Sequence, residues 1–314
     1  MNDVPGSTIL SPNHFSHLLK GSGMTRRLSG SVFVGVLVGC AAGLSLLRAQ
    51  QPLFAPPAGA AAGPVERTAR ATSPSAGLPG HLAEHPLRRA MELAAASRAQ
   101  ASRLADSAYT FVKRERFDGK LCDFEAMFMK VRERPFSVYV QTLGPVQPKG
   151  QEAIYVDGRN NNQAFVHMVG FRHRLIGTLS LDPLGAEMMS GNKYPMTSAG
   201  FVKLLDKVTK MYEVEGAFPE TQVQIFTGAK VDGRSCTCVE VSHPVRRPEF
   251  FFALTRIFYD DELNLPIRWE AYDWPQRPGT EPPLSEEYTF RDVRVNVGLT
   301  DRDFDIENDQ YGYK

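Results

Sequence analysis

The chain reads as an α+β protein: a large curved antiparallel sheet forming an open, incomplete β-barrel, with helices packed on its concave side. Three observations predict it. Apolar residues alternate with period two over most of the chain after Tyr109, Asp-Gly dipeptides stand between such runs at 118-119, 157-158 and 232-233, and only two long stretches repeat with helical period. The composition, 42% apolar and 23% charged, is that of an ordinary globular protein and excludes disorder or coiled coil as a description of the whole. Thirty-six Lys and Arg against 35 Asp and Glu leave a formal charge of +1, so no field marks a nucleic-acid partner.

The first 85 residues are expected to lie outside that fold. Residues 1–23 read as an upstream extension without evident structure, with Met24 a plausible start. Residues 24–50 read as a signal peptide or a membrane anchor: Arg26 and Arg27 precede LSGSVFVGVLVGCAAGLSLL, which has no charge from Leu28 to Leu47. A run of about 20 such residues spans a hydrocarbon core as a helix. Within it, Leu37-Val38-Gly39-Cys40 resembles a lipobox, which makes Cys40 a candidate lipid-attachment residue, while Ala49 would close a conventional cleavage site. Each of these alternatives exports the rest of the chain. Residues 51–85, rich in Pro, Ala and Gly and without apolar periodicity, predict a flexible linker.

From Pro86 onward the elements succeed one another in order. Pro86 suits the start of a helix on which Leu87, Met91, Ala94, Ala101, Leu104 and Ala108 form the apolar face. Tyr109–Phe117 and Lys120–Val131 flank Asp118-Gly119 as a hairpin, since Asp-Gly supplies the positive φ of a tight turn. Asp157-Gly158 joins Glu152–Val156 to Gln163–Val169, and Asp232-Gly233 joins Gln222–Val231 to Ser235–Val241. Phe250–Tyr259 and Pro266–Trp274 make a further pair, with Pro266 at a strand start where no ladder donor is needed. Between Val169 and Gln222 a short helical piece is expected over Pro183–Met189, then a helix capped by Ser198 with Phe201, Leu204, Leu205, Val208 and Tyr212 on one face. In the last strand Tyr288 and Phe290 set one parity and Val293, Val295 and Val297 the other. A bulge at Arg291-Asp292 would keep them all on one face.

The order helix, hairpin, Arg134-Pro135-Phe136, then Ile154-Tyr155-Val156-Asp157-Gly158 resembles the periplasmic lipoprotein-carrier (LolA/LolB-like) superfamily. So do the closing segments Phe258-Tyr259-Asp260, Leu265-Pro266-Ile267-Arg268, Tyr288 to Val293 and Asp303-Phe304. Residues 86–314 as a whole are similar to an uncharacterised family of exported bacterial proteins, a domain of unknown function. The resemblance implies a half-closed barrel whose helices plug an apolar cavity, with acyl chains as cargo in the carriers, and it implies no catalysis. The inserted stretch Pro183–Tyr212 departs from the soluble carriers.

The chemistry-bearing residues point the same way. Cys236 and Cys238 stand on one face of a strand, pointing in parallel at the limit of disulfide reach; buried thiols or a bond from Cys122 to one of them read better than a metal site. His167, His173 and His243 sit in no nucleophile-base motif, and no phosphate loop or dinucleotide fingerprint occurs. Arg172-His173-Arg174 and Arg246-Arg247 are short basic clusters that suit a solvated sheet edge or lipid headgroups. Phe124, Phe128, Phe252, Leu254, Phe258 and Trp269 are the candidate lining of an apolar cavity, because they alternate with polar neighbours or sit in strands apolar on both faces. The expected protein is non-enzymatic, without cofactor or metal. Its expected place is the periplasmic side of the cell envelope, anchored to the inner membrane through residues 28–47 or free, with a lipid or lipidated protein as partner. An envelope interaction or sensor domain without a small ligand is the alternative, and an unrecognised hydrolase the third reading.

Overall fold

The computed structural model describes residues 85–170, 177–277 and 279–313. The extension, the apolar segment with Cys40, the linker up to residue 84 and the cluster Arg172-His173-Arg174 lie outside the described residues. Among the described residues no helix is long and apolar enough to cross a membrane.

Helix α1 (Arg88–Ala101) leads into β1 (Asp106–Phe117), β2 (Lys120–Leu121), β3 (Glu125–Glu133), β4 (Phe136–Gly144), β5 (Glu152–Val156), β6 (Ala164–His167) and β7 (Thr178–Leu181). The short α2 (Ala186–Met189) and the long α3 (Phe201–Glu215) come next, then β8 (Gln222–Val231), β9 (Arg234–Ser242), β10 (Leu254–Asp260), β11 (Pro266–Tyr272) and β12 (Leu284–Val295). Eleven strands run in the order β7-β6-β5-β4-β3-β1-β12-β11-β10-β9-β8, with the two-residue β2 paired to β1 as the twelfth. Every pairing is antiparallel. Strands β7 and β8 remain edges, so the sheet is not closed into a barrel. The pairing of β1 with β12 joins the first and last strands at the centre.

Where local signals are strong, the expected elements form. Asp118 and Gly119 both take positive φ, 48° and 78°, as do Asp232 and Gly233 at 47° and 83°. Asp292 has φ 53°, and the β1–β12 register slips between Ala108 and Thr110, which is the bulge expected at Arg291-Asp292.

Other elements differ from expectation. Helix α1 stops at Ala101 rather than running to Ala108, because β1 begins at Asp106, whose carboxylate accepts the N–H groups of Val297, Gly298 and Leu299 at 2.6, 3.1 and 2.9 Å. Ser198 does not cap α3 but ends a 3-10 turn; the N-cap is Gly200 at φ 93°, where a Cβ would sit 3.2 Å from Val131 Cγ1. The second hairpin strand breaks at Cys122–Phe124, between β2 and β3. Asp157-Gly158 opens a longer connection that includes a 3-10 turn at Asn160–Asn162. Phe250–Ala253 is loop rather than strand, since Phe250 turns back to stack on His243.

Helices α1 and α3 pack together on one face of the sheet and form the main core with it. Leu87 at the N-cap of α1, Ala90, Met91 and Ala94 within it, and Phe201, Leu205, Val208 and Tyr212 from α3 meet Tyr109, Val131, Val138, Val239, Ile257, Trp269 and Phe290. The opposite face carries two smaller apolar patches. One, Tyr139, Ile154 and Val156, is covered by Phe304, Tyr311 and Tyr313 of the C-terminal segment. The other is Val231, Cys236, Cys238, Phe258 and Ile267. Alongside it runs a charge ladder set by strand register: Arg256 to Glu240 at 2.7 Å, Arg268 to Glu270 at 2.7 Å and Arg268 to Glu287 at 2.5 Å. Arg256 pairs with Glu240 across β9 and β10, and Arg268 pairs with Glu270 along β11 and with Glu287 across β11 and β12, so the guanidiniums offset the burial of Glu270 and Glu287, which stand opposite each other.

Candidate functional site

The six residues expected to line one cavity are distributed over both faces. Phe252 and Trp269 share the helix-covered face, edge-to-face at 6.4 Å. Phe128 packs against the patch under the C-terminal segment, and Phe258 lies with Cys238 and Ile267 on the same, opposite face. Phe124, outside any strand, lies under the Arg114 guanidinium at 4.8 Å. Leu254 lines an open cavity beside Trp274. Alternation within each strand explains the scatter: Phe128 falls between Met127 and Met129, which face the helices, Phe258 falls between Ile257 and Tyr259, which do the same, and Phe252 lies in the loop before β10.

On the helix-covered face the apolar core reaches beyond the two helices. Phe111, Met127, Phe136, Val140, Ile225 and Phe252 are only partly buried where they meet it. Toward one end of β1 and β12 that face becomes polar. Lys113 Nζ lies 3.3 Å from Glu115 and 3.5 Å from Glu125, and donates to Gly191 O at 2.7 Å. Tyr288 donates to Glu115 at 2.5 Å. Glu286 accepts from Trp269 Nε1 at 3.1 Å and Tyr194 Oη at 3.0 Å, with Lys193 Nζ at 3.1 Å. Burial pushes the Glu286 and Glu125 carboxyls above the ordinary carboxylate value, against the pull of Lys193 and Lys113 respectively. The stretch between α2 and α3, which supplies Gly191, Lys193 and Tyr194, is thus what covers this end of the face. None of these residues is legible as a site in the sequence, because they come from positions 113 to 288 and meet only through strand pairing.

Two open cavities adjoin this region. The larger, about 690 Å³, is lined by Arg116, Asp118, Lys193, Asp273, Trp274 and Glu281 among others, and is mixed in charge. The smaller, about 430 Å³, is lined by His243, Pro244, Arg246, Leu254, Trp274 and neighbouring prolines. Trp274 walls both. Behind the smaller cavity His243 forms a buried pair with Glu215, Nε2 to Oε1 at 3.2 Å, and its Nδ1 lies 3.4 Å from Thr221 Oγ1. The constellation has the members of a nucleophile, base and orienting acid, but its hydrogen bonds run the wrong way. Thr221 already donates its only proton to Glu215 O at 3.1 Å, so its hydroxyl accepts from His243 instead of losing a proton to it. Thr221 is also fully buried.

Cys122, Cys236 and Cys238 are free thiols. Burial, as the largest cause, pushes Cys236 up to about 11 and Cys238 up to about 12. Among the described residues no group of three or more His, Cys, Asp and Glu is arranged to hold a metal.

Residues 104–313 match the model of a family described as a protein of unknown function, DUF1571. A comparison with curated proteins finds no match. Among solved structures, the chain is similar to the lipoprotein LppX of Mycobacterium tuberculosis, 12% identical over 68% of this chain and 98% of that one, with a TM-score of 0.39. It is similar to LprF of Mycobacterium bovis at 13% identity, covering 69% of this chain and 97% of that one, TM-score 0.39. A LolA superfamily protein from Nitrosomonas europaea is 13% identical over 69% of this chain and 97% of its own, TM-score 0.29. At this level the likeness does not extend to a ligand.

Proposed function

The chain belongs to the DUF1571 family, a membership that names no activity, and from the geometry we propose that it is a non-enzymatic envelope protein holding an apolar ligand, an acyl chain or a lipidated polypeptide, between its helices and the face they cover. One observation supports this reading above the others: helix α1, which covers part of that face, presents little side-chain bulk to it. Helix α1 turns mostly small side chains to the core, Ala90, Ala94, Ser97 and Ala101, all fully buried. Its direct polar ties include Ser97 Oγ to Asn264 O at 2.9 Å and Arg98 to Asp206 at 2.6 Å. Small side chains withdraw little apolar area, whereas an acyl chain gains about 0.8 kcal/mol per buried methylene. A chain of many methylenes can therefore displace such a helix edge, starting from the partly buried margin around Phe252, Ile225 and Met127. Periplasmic placement and the tether at residues 28–47 belong to the same proposal.

Native mass spectrometry of the full-length chain extracted from its membrane tests the proposal through co-purifying lipid. Uptake of a fluorescent fatty acid then separates the faces. Phe252→Asn is expected to lose uptake while keeping its fold, and Phe128→Asn, on the far face, to keep uptake. No lipid and no uptake by the parent protein would replace this reading by that of an interaction domain whose covered face is plain core.

A further inference from the structure

Two of the large apolar side chains that stay exposed in the described structure, Val245 at 50% and Phe251 at 48%, belong to a single loop, the connection from β9 to β10. Scattered exposed apolar residues are ordinary, but two in one loop around a basic pair are the composition of a lipid-facing edge. The loop is firmly built. His243 at its start lies flat on Phe250 near its end, centroids 3.7 Å apart and planes 12° apart. Phe250 meets Phe218 edge-on at 4.9 Å, and the Arg247 guanidinium lies over Phe218 at 5.1 Å while pairing with Glu220. Pro244 and Pro248 restrict the turn further. Val245, Arg246 and Phe251 stand exposed on this framework, and Arg246 forms no ion pair among the described residues; Glu249 is the loop's one acid.

A second observation orients the loop. The chain enters the domain at this same corner: His85 Nε2 lies 3.0 Å from the carbonyl oxygen of Phe218, the residue that Phe250 and Arg247 both touch. The described part of the chain therefore starts beside the exposed loop. Third, the cavity of about 430 Å³ counts Pro244 and Arg246 of this loop in its wall, so it opens at that corner too.

We propose that the loop 244–251 is the surface by which the domain lies on an anionic bilayer, with Val245 and Phe251 entering the interface and Arg246 meeting a headgroup phosphate. A single tether leaves the domain free to turn at the end of its linker; a second, weak contact at the entry corner fixes which side faces the lipid. The proposal takes from the envelope reading only the presence of a bilayer and does not depend on what the covered face holds.

The test uses the full-length chain in vesicles of brominated phosphatidylcholine, with or without brominated phosphatidylglycerol, and an indole added by Phe251→Trp. Its emission is expected to be quenched in the anionic vesicles beyond that of Leu184→Trp, which places an indole at another exposed site. Adding Arg246→Glu should cut the excess quenching about fivefold or more, the factor that one basic side chain contributes at an anionic surface. Equal quenching of the two indoles overturns the proposal. Quenching indifferent to phosphatidylglycerol and to Arg246→Glu overturns the anionic assignment. A brominated lipid held in the domain would quench the native Trp269 and Trp274 in every variant alike, so this proposal and the ligand reading fail separately.

Discussion

Asp260 shows how much one side chain organises here. It is almost fully buried at the end of β10, pairs with Arg234, and accepts the N–H groups of Glu262 and Leu263 at 3.0 and 2.8 Å. Burial raises its carboxyl, but Arg234 and the two N–H groups outweigh that and hold it below the usual aspartate value. It therefore shapes the β10–β11 turn while anchoring β9. Asp260→Ala leaves those donors without their acceptor and is expected to cost about 2 kcal/mol, read as a lower urea midpoint at unchanged slope. In the sequence Asp260 reads as an ordinary turn residue; its ties to Arg234 depend on β9 lying beside β10, which no local pattern states.

At the scale of elements, the C-terminal segment is a strap over the face opposite the helices. Tyr311 stacks on Tyr139 at 4.2 Å, and Lys130, held by Asp303 at 2.7 Å, lies over both rings at 5.3 and 5.6 Å. The Gly312 N–H donates to Glu152 at 2.6 Å, and a Cβ at Gly312 would meet both Glu152 Oε2 and the His167 ring at 3.1 Å. Gly312→Ala is thus expected to lift the end of the strap, with a loss of about 1 kcal/mol and faster amide exchange confined to residues near 304–313. Unchanged exchange there would mean the contact yields without consequence. Helix α1 and its N-cap residue, by contrast, lie before the matched residues 104–313, yet they contribute Leu87, Ala90 and Ala94 to the main core.

For the whole molecule, burial sets the pH response. Glu125, Glu133, Glu215 and Glu286 are all pushed above the ordinary carboxylate value, burial being the largest cause in each. A raised acid stabilises the fold below its unfolded pKa and loses that contribution as pH rises through its folded value. Asp260 and Asp303, held low despite burial by Arg234 and Lys130 respectively, do the reverse and lose their contribution as pH falls. Thermal unfolding is therefore expected to occur at higher temperature near about pH 5 than near about pH 7.5, and to weaken again below about pH 4. A midpoint that falls steadily from pH 7.5 to 5 would contradict this sign.

What the order of residues settles about this protein is local. Asp118-Gly119 and Asp232-Gly233 announce hairpins because an Asp-Gly pair carries its own backbone preference, and the bulge at Asp292 comes from a parity break within one strand. The mostly antiparallel meander and the two long helices come from periods of two and 3.6. Which residues meet is not settled in that way. A shared apolar pattern groups Phe128 with Phe252, yet Phe128 points away from its helix-facing neighbours Met127 and Met129, and the loop at Phe250–Ala253 brings Phe252 to the helix-covered face. The polar end built by Lys113, Glu125, Lys193 and Glu286 arises from β12 inserting between β1 and β11, a pairing between the two ends of the domain. Short-range preference is written in neighbouring residues, whereas the face a side chain occupies depends on every bulge and partner strand between it and the rest of the sheet.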